Sequence, residues 1–290
     1  MKRRRFLQAG AAAFLSRLWP GRLRAAENGK GDSGWTFLAV NDLHYENAEC
    51  GPWFEKVVAA MKASAPSAEF CILGGDQANH GTPEQLGAVR DIFTKLGIDI
   101  HPTIGNHDWT EADGTRKAYD DIYPGTANVM FKHRGWQVLG LDSSDGMGYQ
   151  NTSIHDTTLT WLDAALPKLS RADPLILYTH FPLGDGVLMR PKNAGLLLAR
   201  LRDFNFQGAF SGHFHGYTAK VWNRTLLTTD RCCSRVQNNH DGTREKGWFV
   251  CHVTDGKIRR EFVEIPGELR SRGPAPAPIS LPPIPAPTAG

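Results

Sequence analysis

Asn106, His107 and Asp108 stand in consecutive positions where an apolar run ends, in the stretch IGNHDW from Ile104 to Trp109. A turn accepts the asparagine and the aspartate, but it has no use for an imidazole between them. Four further segments of similar make-up recur along the chain. NDLH sets Asp42 and His44 two residues apart, GGDQAN carries Asp76 behind two glycines, YTHF supplies His180, and SGHFH sets His213 and His215 two apart. Five of the eleven histidines fall in these segments, so they are concentrated where an apolar run stops. Imidazole and carboxylate together suit zinc, manganese or iron, and the lack of cysteine excludes a thiolate-rich structural zinc site. Two ions about 3.5–4 Å apart need a bridging ligand, for which a carboxylate is suited, and such a pair clamps a phosphate through an in-line displacement. Each segment alone is an ordinary strand end or turn. Their conjunction is not.

The elements that must position these residues can be read around them. WTFLAV, FCILGG and LILYTHF are short continuous apolar runs, as expected for strands covered on both faces. WFEKVVAAMKA, PEQLGAVRDIFTKLG, TTLTWLDAALPKL and NAGLLLARLRDF show helical spacing, the second with Pro83 early and Gly97 at its end. KVWNRTLLTT and GWFVCHVTDGKIRREFVEI read as hairpins, the latter turning at Asp255-Gly256. The chain is therefore α/β with a more antiparallel finish, and no internal repeat is evident. Open α/β sheets bind ligands beyond the carboxyl ends of their strands, so segments distant in sequence can converge there. On extended chain, Asp42 and His44 would project to one side.

Composition sets the limits. The 290 residues, 41% hydrophobic and 22% charged, describe an ordinary globular protein. The formal charge of +3 includes seven cations and no acid in the first 26 residues, so taking seven from +3 leaves −4 for the rest. A mildly acidic body argues against a nucleic-acid polymer as partner. RRRFLQ (Arg3 to Gln8), followed by AGAAAFL, fits a twin-arginine signal peptide over residues 1–26 and predicts export to a periplasmic or extracellular location. No other apolar run reaches the ~18 residues of a membrane helix, so no transmembrane segment is expected in the mature chain. Residues 34–265 form the expected catalytic domain. From residue 266 to 290 a proline every second or third position, without apolar periodicity, predicts a disordered tail. Cys71 and Cys251 lie in apolar runs and read as buried thiols, whereas any pairing of Cys50, Cys232 and Cys233 is left open.

DLH, GD, GNHD, the isolated histidine and GHFH resemble, in order and spacing, the signature of the calcineurin-like metallophosphoesterases, and the resemblance covers nearly the whole body. It implies a four-layer α/β/β/α sandwich and a dinuclear hydrolase of small phosphoesters using divalent or trivalent manganese, iron or zinc. One ion would be held by Asp42, His44, Asp76 and His215, the other by Asp76, Asn106, His180 and His213, with Asp76 bridging. A metal-bound hydroxide would attack phosphorus in line, while His107, not a ligand, would stabilise the phosphoryl charge or protonate the leaving oxygen. Protein phosphatases of this superfamily carry an acid three residues after the bridging aspartate, and purple acid phosphatases a ligating tyrosine. This chain has Asn79, expected to hydrogen-bond His107, and Asp108, expected to orient the loop. GDQANHG followed by GNHD looks most like the bacterial cyclic-nucleotide and glycerophosphodiester phosphodiesterase branch, so a phosphodiesterase is favoured. A phosphomonoesterase with the same site is the alternative. A metal-binding protein without turnover is a third reading, and the non-ligating His107 argues against it. His80 is expected to cap the following helix, His133 to lie on the surface, and the tryptophans to pack in the core. Arg231 and His240 fall where this family varies its substrate contacts.

Overall fold

Alternate side chains of β1 (Trp35–Val40) enter two different cores. Trp35, Phe37 and Ala39 join one buried cluster, while Leu38 and Val40 join another. That is the period-two pattern of a strand covered on both faces, and it recurs throughout. The computed structural model describes residues 34–265. The leader expected over 1–26 and the tail expected over 266–290 lie outside them.

After β1 come α1 (Gly51–Ser64), β2 (Ala68–Leu73), α2 (Pro83–Phe93), β3 (Asp99–Pro102), α3 (Lys117–Ile122), β4 (Asn128–His133) and β5 (Trp136–Leu141). The chain continues with α4 (Asp156–Ala165), β6 (Leu175–Thr179), α5 (Ala194–Arg200), β7 (Phe206–Ser211) and the hairpin of β8 (Thr218–Trp222) and β9 (Thr225–Thr229). A second hairpin, β10 (Gly247–Thr254) and β11 (Lys257–Glu264), completes it. One sheet has the order β11-β10-β1-β2-β3 and the other β4-β5-β6-β7-β9-β8. Their inner faces meet in an aromatic layer. Phe37 stacks on Phe70 of its own sheet at 5.0 Å and meets Phe210 of the other edge-on at 5.4 Å.

Each outer face carries helices. In α1, Phe54, Val57, Val58 and Met61 follow helical spacing and pack with Val89 and Phe93 of α2 against the first sheet. Leu159 and Leu162 of α4, with Leu197 and Leu198 of α5, cover the second. The result is the expected α/β/β/α sandwich. Burial of each such side chain contributes on the order of 1.5–3 kcal/mol, so the aromatic layer joins the two sheets while the outer clusters hold the helices on them.

Both expected hairpins form, each around two left-handed residues: Asn223-Arg224 (φ 45° and 69°) and Asp255-Gly256 (φ 51° and 68°). α2 begins with Pro83 behind Thr82, whose hydroxyl accepts the Gln85 N–H at 3.3 Å. The cap is thus Thr82 and not His80, whose ring instead meets Glu111 at 3.0 Å. His133 is likewise not a plain surface residue. It is half-buried against the Trp35 ring (4.7 Å) and pairs with Glu69 at 2.7 Å. Trp35, Trp53, Trp136 and Trp248 are core, as expected, but Trp109, Trp161 and Trp222 are only partly buried. All five cysteines are free and buried. No helix among the described residues is long and apolar enough to cross a membrane.

Candidate metal centre

β1 and β2 run parallel, as do β2 and β3, and so do β5, β6 and β7. The five chemistry-bearing segments follow the carboxyl ends of β1, β2, β3, β6 and β7. Hydrogen bonds of the ladder continue past the strand ends and lace these loops together. Asp42 N–H donates to Gly75 O, His44 N–H to Asp76 O, and Gly212 N–H to His180 O, at 2.9–3.1 Å. The loops are not extended as the two-residue spacing predicts. Asp42, His44, Asp76, His213 and His215 all have left-handed backbone, with φ between 45° and 65°. Two glycines are required by close approach. A Cβ on Gly105 would lie 2.1 Å from Asp76 Oδ1, and one on Gly75 (φ 89°) 2.3 Å from His180 Nδ1.

All seven sequence-predicted metal ligands come together and all are buried. Ligand atoms of Asp42, His44, Asp76 and His215 lie within 4.8 Å of one another, and so do those of Asp76, His180 and His213. Asp76 belongs to both groups. Asn106 Oδ1 stands 3.3 Å from His180 Nε2, beside the second group. Backbone carbonyls select the tautomers. His180 Nδ1 donates to Gly74 O (2.9 Å), His215 Nδ1 to Asn238 O (3.0 Å) and His213 Nε2 to Tyr149 O (2.7 Å). A carbonyl only accepts, so each imidazole presents its other nitrogen to the cluster. His44 and His215 bring their Nε2 atoms to 3.1 Å, which requires a proton or a cation between them. Converging imidazoles and carboxylates fit two borderline metal ions.

Electrostatics agree. Burial lowers His44 to about 3, and burial with neighbouring His180 lowers His213 to about 3, so both are neutral ligands in waiting. Burial would also lower His180 and His215, but the Asp76 carboxylate pushes His180 up to about 9 and Asp42 holds His215 well above its usual value. In turn, burial opposes ionisation of Asp76, yet the His180 charge above all keeps it well below the carboxylate range. Without metal the centre is therefore two carboxylates balanced by two imidazoliums. Loading the metal-free protein with manganese near neutral pH is expected to release about two protons per chain, from His180 and His215. These raised values mean protons compete with the ions, so affinity should rise with pH and fall as the medium acidifies. Calorimetry in buffers of different ionisation enthalpy measures the release; none at all would show that both imidazoles are already neutral in the metal-free protein.

His107 follows the same loop but faces outward. Its backbone N–H donates to Asp76 Oδ1 at 2.9 Å, and its ring is half-buried at the pocket wall. The ring does meet Asn79, though through the carbonyl and not the carboxamide: Nδ1 donates to Asn79 O at 2.8 Å. The Asn79 side chain contacts His80 Nε2 (3.1 Å) and Gln237 Nε2 (3.2 Å) instead. Asp108 is fully buried away from the pocket, accepting Ala78 N–H (2.9 Å) and Gly105 N–H (2.8 Å), and so clamps its loop to the Asp76 loop. Burial, and then the charge of Asp76, push its carboxyl up to about 8.

Of the residues considered for substrate contact, His240 lines the pocket, stacked on His215 at 4.7 Å, whereas Arg231 turns away to Thr243 and Phe262. Sequence reasoning missed Trp109, Met147, Tyr149, Met189 and Gln237, which also line the mouth. A signal existed for two of them. The loop after β5 also leaves the carboxyl end of a parallel strand, and it carries Met147 and Tyr149.

A dinuclear-type ligand cluster at the mouth of a two-sheet sandwich defines a metal-dependent phosphoester hydrolase. The chain belongs to the calcineurin-like phosphoesterase family, whose model matches residues 36–217. It is 25% identical over 198 residues to the glycerophosphodiester phosphodiesterase GpdQ of Enterobacter lignolyticus, covering 65% of this chain and 71% of that one. With a 3',5'-cyclic-nucleotide phosphodiesterase of Nostoc it shares 27% identity over 133 residues, 45% of this chain and 47% of the relative, so it spans less than half of that protein. Among solved structures, a dimetal phosphatase from Danio rerio superposes with TM-score 0.53 at 16% identity, covering 80% of this chain and 98% of that one. A purple acid phosphatase from yellow lupin gives 0.61 at 11% identity, over 80% and 52% of the two chains. These structural likenesses concern the fold.

Proposed function

We propose that the protein hydrolyses phosphodiesters in preference to phosphomonoesters. In this reading one metal ion is held by Asp42, His44, Asp76 and His215 and the other by Asp76, Asn106, His180 and His213, drawn from manganese, iron or zinc. When bound, such a pair supplies Lewis acidity toward a phosphoryl oxygen and lowers the pKa of water.

The observation that carries the diester preference is what lines the site. Among its ten lining residues there is no lysine and no arginine. A monoester dianion is commonly gripped by bidentate arginine, which is absent here, whereas a diester carries a single charge and needs fewer cationic contacts. The named phosphodiesterase relatives support the same choice. A diester also loses a poor alkoxide, and His107 is placed to help. With Nδ1–H tied to Asn79 O, its Nε2 is the atom free to hand a proton to the departing oxygen.

The test is kcat/KM for bis(p-nitrophenyl) phosphate against p-nitrophenyl phosphate on manganese-loaded protein. The diester should be favoured. A preference of about tenfold or more for the monoester, ~1.4 kcal/mol in the transition state, would establish the phosphomonoesterase reading instead. Turnover of neither would leave a metal-binding protein.

We infer the place of action from the leader expected over residues 1–26. The twin-arginine pattern at Arg3-Arg4 supports export of a chain already folded, a route suited to a protein that acquires metal before it leaves. Replacing Arg3 and Arg4 by lysine should keep the precursor in the cytoplasm, as read by fractionation. Unchanged export refutes the assignment.

A further inference from the structure

Beside the metal centre lies a second recess of about 160 Å³, next to the central pocket of about 120 Å³. The two share Asn106, His107 and Tyr149 as a common wall, and the recess is completed by Trp109, Met147 and Glu111. Among the described residues, Met147 and Tyr149 belong to the small set of large apolar side chains left in solvent, at 46% and 58% exposure. Exposed apolar groups gathered at the edge of a buried polar centre mark a surface that gains by being covered.

Both walls are fixed relative to the centre. Trp109 follows the clamped Asp108, and its indole Nε1 donates to Ser144 Oγ at 3.0 Å. That serine is itself held by Asp142 Oδ1, which accepts the Ser144 N–H at 2.9 Å, and Asp142 pairs with Arg116 at 2.8 Å. Tyr149 sits on the same loop, and its carbonyl is the acceptor that orients His213. The Trp109 indole and the Tyr149 backbone are thus tied to groups at the metal centre, while the Tyr149 and Met147 side chains stand in solvent. The recess adjoins the centre through the shared Asn106, His107 and Tyr149, within reach of an ester group on a phosphorus bound there.

Its chemistry is selective. An indole, a phenol ring and a thioether offer flat, polarisable surface, suited to a planar aromatic group by stacking and sulfur–ring contact. No lysine or arginine lines it, and the one charged lining residue is Glu111. An anionic group would face the Glu111 carboxylate, which pairs with His80 at 3.0 Å.

Resting on the phosphodiesterase reading, we propose that this recess binds one ester group of the substrate, that the group is planar, aromatic and uncharged, and that Trp109, Met147 and Tyr149 set this preference. The specificity of the protein is then for diesters bearing an aryl or nucleobase-like moiety over those of small polyols.

Calorimetry with non-hydrolysable phosphonates tests this without relying on turnover. On the manganese-loaded full chain, phenylphosphonate should bind about tenfold or more tightly than methylphosphonate, the scale of one well-formed aromatic contact plus its buried area. Tyr149→Ala and Met147→Ala should each shrink that ratio severalfold with metal content unchanged, and a 4-carboxyl on the phenyl ring should remove most of the gain. Equal affinity of the two phosphonates, or ratios untouched in both variants, overturns the recess while leaving diester turnover intact. A 4-carboxyl that costs nothing overturns the requirement for an uncharged group. Tight phenylphosphonate binding without diester hydrolysis would leave the recess standing and refute the phosphodiesterase reading. Binding of neither compound overturns the recess and leaves the phosphodiesterase reading to the turnover assay.

Discussion

Asp76→Ala is expected to empty both metal positions at once. One carboxylate serves the whole centre: Oδ2 lies 3.6 Å from His44 Nε2 and 3.3 Å from His180 Nε2, while Oδ1 accepts the His107 backbone N–H. No neighbouring acid can take its place, because Asp42 is already engaged by Asn41 and by the His213 N–H, and Asp108 is turned to backbone. The variant should purify with well under one ion per chain and show no measurable turnover. It should also lose the stability that bound metal confers. A ligand at a hundredfold its Kd stabilises by ~2.7 kcal/mol, and a domain of this size shifts by ~2–4 °C per kcal/mol, so a fall of ~5–10 °C is expected. Chelator-treated wild type provides the reference, and the two melting curves should nearly coincide. A variant that retained two ions would show that Asp76 does not bridge.

His107→Ala should fail differently. The ring touches no candidate metal ligand through its own nitrogens; its hydrogen bond to Asp76 comes from the backbone, which alanine keeps. Metal content and melting temperature should stay near wild type while kcat falls ~10²–10⁴-fold, the contribution of one positioned proton donor. Asn79→Ala makes the sharper comparison. Since the carbonyl of residue 79 holds the ring, alanine preserves that bond and loses only the carboxamide contacts to His80 and Gln237, so the loss in kcat should stay within about tenfold. A large loss there would mean that the carboxamide acts on the reaction directly. Loss of an ion from His107→Ala would return the imidazole to the ligand set.

The candidate ligands were legible because their chemical types are scarce and each sits where an apolar run ends. Asp42, His44, Asp76, Asn106, His180, His213 and His215 could therefore be picked out one strand at a time, with the sheet's own geometry supplying their convergence. Three things were not legible. The route by which residue 79 reaches His107 depends on backbone, which carries no side-chain signature. The left-handed turns at Asp42 and His44 are imposed by ladder bonds to Gly75 and Asp76 some thirty residues on. Trp109 and Tyr149 look like any aromatic in a chain with 8 tryptophans and 6 tyrosines, and only the meeting of two loops separates them from the core. Among elements, α3 is six residues long, too short to display a helical period. The hairpin of β4 and β5 turns at Arg134-Gly135 without the Asn-Gly or Asp-Gly signal.

The left-handed backbone at five candidate ligand positions has a consequence for anyone who would re-engineer this centre. Aspartate, asparagine and histidine are the non-glycine residues most at home at positive φ, and they are also oxygen and nitrogen donors. At residues 42, 44, 76, 213 and 215 the donor alphabet and the backbone alphabet thus coincide, and exchanges within that set need not disturb the loops. A thiolate for softer metals, or a longer glutamate, falls outside it. Each such exchange would set a new ligand against a local conformational cost of ~1 kcal/mol or more, so a change of metal preference has to start from the loops and not from the side chains.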